Sequence, residues 1–183
     1  YGVNRPYWGV AFGIAAVFLR ELALPYGVLT AGIAAFRSRR RELLLWAVGL
    51  TAWAAFFGWH LAEVAPRITA DARAHTDSWL QLGGAGFVLA TAQMNAYLLL
   101  LPDWATALYL TAALCGLAGW ATPWGMRCGL TVSLFMGLFA FVGQEFNQYW
   151  GCLFGPLLCF GAARFPISLR ELWQAAGFSP GTH

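Results

Sequence analysis

Arg20 and Glu21 interrupt an otherwise apolar stretch that runs from Tyr7 to Phe36. Read as one straight helix at 1.5 Å per residue, that stretch puts Arg20 about 18 Å from Trp8 and about 24 Å from Phe36. At such a depth an arginine cannot snorkel to either surface and costs about 2.5–3.5 kcal/mol to insert, so it calls for an anionic or carbonyl partner. Glu21 is a poor partner because adjacent helical residues do not face each other. Glu145 is the preferred one. It belongs to the run Gln144-Glu145-Phe146-Asn147-Gln148, in which one carboxylate stands among three amides and can coordinate a polar solute, a proton or an ion. Gln93 and Asn95 add two amides to a third apolar stretch, where the bland reading is ordinary interhelical glue. Arg20, Glu21, Gln93, Asn95, Gln144, Glu145 and Asn147 are therefore the candidate substrate-binding residues.

A second constellation is His60 with Glu63. Three residues apart on a helix, they can touch, and a histidine beside a carboxylate can act as acid and base near neutral pH. In an enzyme, His60, Glu63 and Glu145 would be the catalytic groups. The plain alternative is an interfacial histidine beside a solvated glutamate. No metal site is expected, since the four cysteines, Cys115, Cys128, Cys152 and Cys159, lie in apolar stretches without a CxxC. The chain has no lysine, and this excludes a retinal or other Schiff base and a lysine nucleophile. With His60 alone among three histidines near apolar sequence, bis-histidine haem ligation is disfavoured. Serine-hydrolase, zinc-protease, nucleotide-binding and aspartate-rich motifs do not occur.

Composition says what must position these groups. Of the 183 residues 60% are hydrophobic and only 10% charged, against about 25% charged in soluble domains. This describes an all-α integral membrane protein, whose partner is the lipid bilayer, and excludes a nucleic-acid module. A crossing takes about 20 mainly apolar residues. The expected bundle has five or six transmembrane helices: Tyr7 to Phe36, long and kinked near Pro25 or broken at the charged pair; Leu43 to Ala62; Trp79 to Leu101; Trp104 to Trp120; Met126 to Gly143; and Phe146 to Ala163, which either crosses as a sixth or re-enters. Residues 1-165 form the transmembrane domain. In residues 166-183, Ser168 and Glu171 have the spacing of a capping box, which predicts a short amphipathic helix on the membrane surface. Tryptophans near span ends, Trp46 and Trp150 among them, are assigned to aromatic belts.

The run Arg37-Ser38-Arg39-Arg40-Arg41 is cytoplasmic by the positive-inside rule, in what is expected to be the inner membrane of a bacterium. The chain opens on Tyr1, so a start residue or leader is expected to have been removed. Small residues recur at helical spacing in three stretches: Gly129, Ser133, Gly137 and Ala140; Gly86, Ala90 and Gln93; Gly9, Gly13 and Ala16. Such stripes mark faces that pack on other helices, and each leads to a polar residue: Gln144, Gln93 and Arg20. The leading functional expectation is a small transporter or channel for a polar solute or ion. The alternatives are a membrane-embedded enzyme acting on a lipid, isoprenoid, sterol or quinone, and an accessory subunit of a respiratory or photosynthetic complex. A homo-oligomer or partner membrane subunits are expected for a transporter of this size.

Overall fold

A computed structural model describes residues 1, 4–68, 82–94 and 97–176, apart from the side chain of Glu145. Among the described residues all regular structure is helical. The chain forms two compact units, residues 1–78 and 79–183.

In the first unit, α1 (Pro6–Leu19) and α2 (Leu24–Phe36) are not one long span. Arg20 adopts an extended backbone (φ −155°, ψ 120°), a 3-10 turn covers Glu21–Ala23, and Pro25 falls in the first turn of α2. Proline fits there because its missing N–H would have no partner in a first turn. The break is therefore at the charged pair, as one of the two sequence alternatives had it, and it reverses the chain. Both halves pack on α3 (Arg40–Val64), and a Cβ added to Gly13 of α1 or Gly27 of α2 would meet the ring of the same residue, Trp46. Ile14 packs on Gly49 and the Phe18 ring lies 5.6 Å from Phe56, so α1 runs parallel to α3. Gly27 meets Leu50 as well as Trp46, and the turn Arg37–Arg39 joins α2 to α3, which makes α2 antiparallel to it. At about 21 and 20 Å, α1 and α2 are each shorter than a 30 Å hydrocarbon core. Trp46 is not a belt residue. It is fully buried, and its Nε1 donates to the Tyr1 hydroxyl at 3.1 Å.

The second unit contains α4 (Gly84–Ala92), α5 (Asp103–Ala118), α6 (Pro123–Phe141) and α7 (Gly155–Ala175). A nine-residue 3-10 helix, Glu145–Leu153, precedes α7. Thr122 caps α6 by accepting from the Gly125 N–H at 3.1 Å, and Pro123 begins it, so the turn between α5 and α6 is tight. The closest packing is between α5 and α7. Gly116 lies against the Gly161 backbone and Gly161 against the Ala113 carbonyl, while Ser168 Oγ donates to the Gly116 carbonyl at 2.8 Å. Tyr109 reaches Cys159 and Gly119 reaches Ser168, so the two helices run parallel along their length.

Ser168 is thus not a cap. Helix α7 continues unbroken through Pro166, with Gly161 and Ser168 docked on α5 on either side of the proline. A proline inside a helix costs about 3 kcal/mol in isolation, and here tertiary contacts hold the backbone across it. Replacing Ser168 with Ala removes the bond across the seam; the expected loss is about 1 kcal/mol, read from reversible unfolding in mixed micelles.

Aromatic rings fill the rest of the core. Phe139 lies 6.2 Å from Phe87, 5.6 Å from Trp150 and 6.0 Å from Phe154. Trp150 is therefore a core residue as well. The buried face of α6 is Cys128, Thr131, Val132, Phe135 and Phe139. The stripe expected to pack points elsewhere: Ser133 and Gly137 are exposed, and a Cβ on Gly137 or Gly86 would meet nothing within 4 Å. Large rings bury more apolar area than glycines do, so they take the inner face of α6, and the small residues that permit close approach lie on α5 and α7.

Among the described residues two helices are long and apolar enough to cross a membrane, Arg40–Arg67 counted with its 3-10 extension and Pro123–Phe141. The 3-10 helix and α7, bent by 59° at Phe154, together make a third. Helix α4, at about 13.5 Å, is too short for the span expected from Trp79 to Leu101.

Candidate functional site

The polar run Gln144–Gln148 lies at the start of the long 3-10 helix. Such helices rarely exceed four residues because their hydrogen bonds are poorly aligned, so nine consecutive residues mark a segment held by its surroundings. Those surroundings are α4 and α6. Gly151 sits on the Thr91 carbonyl, so closely that a Cβ would overlap it, and Gly143 lies on the Phe87 ring. Three residues per turn put Asn147 and Trp150 on one inward edge, and both are buried.

Asn147 is the centre of the site. It is 1% exposed, and its Nδ2 has no hydrogen-bond partner among the described residues, while its backbone N–H donates to the Gln144 carbonyl at 2.8 Å. An unpartnered buried amide costs about 1–3 kcal/mol. An open cleft of about 480 Å³ lies between α4 and the 143–148 segment, bordered by Leu82, Gly83, Gly86, Phe87, Ala90, Gly143 and by Gln148, the residue after Asn147. Gln148 is the one polar side chain on a wall of glycine, alanine, leucine and phenylalanine. Such a cleft suits a small solute with one or two hydrogen-bonding groups.

The other candidates are placed as follows. Gln144 is the residue before the 3-10 helix, with an extended backbone. Glu145 opens that helix, and its side chain, like all of Asn95, lies outside the described residues. Gln93 Nε2 donates to Asp103 Oδ1 at 2.8 Å, tying the end of α4 to the start of α5, which is the interhelical glue the bland reading expected. Arg20 and Glu21 are exposed in the first unit, at the tip where α1 turns into α2. Arg20 is therefore not in mid-helix. Glu63 accepts from Arg67 at 3.2 Å instead of meeting His60, and the His60 ring stacks on Phe56 with centroids 6.3 Å apart. Both are exposed, so the structure does not bring them together as an acid–base pair.

Two features escape the sequence reading. Arg127, in the second turn of α6, is buried at 7% exposure. Its position four residues after the helix-opening Pro123 makes it look like a flank residue. Arg164 donates to both carboxylate oxygens of Glu171, at 2.9 and 3.1 Å, and lies 5.8 Å over the Trp120 ring. Among the described residues no three His, Cys, Asp or Glu side chains cluster as metal ligands, and none of the four cysteines is in a disulfide.

Compared with known proteins, the chain matches no family model, no curated protein and no solved structure. The functional reading therefore rests on the geometry of this cleft.

Proposed function

We propose that the protein is a small membrane transporter or channel whose solute passes the cleft between α4 and the start of the 3-10 helix. The supporting observation is the buried Asn147 amide with an unpartnered N–H, on a stretch of non-α backbone between two apolar helices. Irregular backbone at membrane depth is tolerated where it is packed in protein or lines a water-filled cavity, and transporters place their sites at such breaks. An orphan N–H donor favours a solute that presents an oxygen acceptor, either neutral or anionic. In this reading Gln144, Asn147 and Gln148 form the polar side of the path, and Phe87 with the α4 glycines forms the apolar side.

The proposal includes the membrane topology. Helices α3, α5 and α6 cross, and α7 crosses with them because it runs parallel to α5 from Tyr109 to Gly119. The α1–α2 hairpin in the first unit and α4 in the second bring the number of membrane-inserted segments to five or six. The Arg37–Arg41 turn is cytoplasmic in a bacterial inner membrane.

A ligand that binds the folded protein at 100 times its Kd stabilises it by about 2.7 kcal/mol. Thermal unfolding of the purified protein with urea, glycerol, acetate and nitrate tests the site. At least one of these acceptor-bearing solutes is expected to raise the transition temperature, and Asn147→Leu is expected to remove that rise. An equal rise in wild type and variant, or none with any solute, contradicts a solute site at Asn147.

A further inference from the structure

The first unit carries a second cleft, of about 450 Å³, where the start of α1 meets the α2–α3 turn. Its walls include Asn4, Tyr7, Ser38, Arg39, Arg40 and Arg41. We propose that this cleft binds the phosphodiester headgroup of an anionic phospholipid.

The charge is concentrated and largely unopposed. Three arginines, Arg39, Arg40 and Arg41, line the cleft together with a single acid, Glu42, which leaves a local charge of three minus one, or +2. Glu42 is itself buried at 3% exposure, where it accepts from the Tyr1 hydroxyl at 2.7 Å and from Arg39 Nη1 at 3.3 Å. Among the described residues no ion pair engages Arg37, Arg40 or Arg41. Two guanidinium groups therefore stand on the cleft wall with their donors available, and the guanidinium fork matches phosphate oxygens in a bidentate way. Orientation in the membrane needs only the positive charge of this turn. The concavity goes beyond that, because it provides walls on which one headgroup can be held.

The surroundings suit a lipid more than a free anion. Tyr7 and Trp8 are exposed on α1 next to the cleft, and Leu44 and Leu45 are exposed on α3 just past the arginines. A headgroup bound at Arg40 and Arg41 would thus have apolar helix surface on which to lay its acyl chains. Basic pockets between membrane helices recognise anionic lipids in this way, with each arginine near the surface worth about fivefold in affinity.

The test is native mass spectrometry of the full chain released from nanodiscs with equal amounts of phosphatidylglycerol and phosphatidylcholine. Phosphatidylglycerol should be retained in preference, and the double variant Arg40→Gln with Arg41→Gln should lower that preference about thirtyfold. Arg170→Gln, which removes a positive charge from exposed α7, should leave it unchanged. Circular dichroism confirms that the double variant is folded; if it is not, Arg41→Gln alone is used, with about a fivefold loss expected. Equal retention of the two lipids overturns the proposal, as does an equal loss with Arg170→Gln. Displacement of phosphatidylglycerol by millimolar inorganic phosphate overturns the lipid assignment in favour of a free-anion site.

Discussion

Gly116→Leu is expected to unfold the second unit or to destabilise it by at least about 3 kcal/mol, the upper range for overpacking a tight contact. The reason is local and geometric. A Cβ at position 116 would overlap the Gly161 carbonyl oxygen, and backbone cannot give way as the end of a flexible side chain can. The helices would have to separate, and the bond from Ser168 to the Gly116 carbonyl would be lost with the close contact. In a bilayer the apolar surfaces gain nothing from leaving lipid, so close packing and interhelical hydrogen bonds carry the association. Gly137→Ala is the matched control. Its Cβ meets nothing within 4 Å, and alanine is the better helix former by about 1 kcal/mol, so that variant should be as stable as the wild type or slightly more so. Unfolding of both variants in mixed micelles, followed by circular dichroism, checks the pair.

The contrast between those two glycines shows what the sequence could carry. The helical class, the turn at Thr122-Pro123 and the apolar segments on either side of it are legible because they depend on composition and local chemistry. The packing faces were not. Small residues at steps of four and three on α6 look like a contact stripe, yet the phenylalanines of that helix bury more surface and take the inner side. The true seam is written as Ala113, Gly116 and Gly119 at steps of three opposite Gly161 and Ser168, and only their partners distinguish it from other small residues. Gly13 and Gly27 stand seven residues on either side of Arg20. That symmetry was available as a sign that the first segment folds back on itself, with Trp46 against both arms.

For the site, the polar run Gln144–Gln148 is legible as unusual, because a cluster of amides between apolar stretches stands out in any composition. Which member is buried was not legible, since that depends on a three-residue helical period where α-helical spacing was assumed. Arg20 was assigned its depth from a straight helix, and one extended residue breaks that helix.

Asn147→Leu is expected to separate function from stability. Leucine has a similar volume and needs no hydrogen bond, so the substitution removes an unpartnered buried donor and should leave the fold as stable or up to about 1–3 kcal/mol more stable. If the amide is kept for a passing solute, the same change should reduce solute movement at least about tenfold, the loss that corresponds to about 1.4 kcal/mol of site interaction. A stabilised but inactive variant is the pattern expected of a residue retained for function at the expense of stability. A variant that loses stability would instead mean that Asn147 is structural. The measurement is unfolding and flux on the same preparation.

The proposal stands most directly on whether the purified chain, alone in proteoliposomes, moves a small solute. Light scattering after an osmotic step with urea or glycerol, and anion-loaded vesicles with acetate or nitrate, report that movement for the acceptor-bearing solutes the site favours. Flux above empty liposomes for at least one of them, abolished in Asn147→Leu, is the predicted result. Traces indistinguishable from empty liposomes for every solute, with protein shown to be folded and inserted, would contradict it.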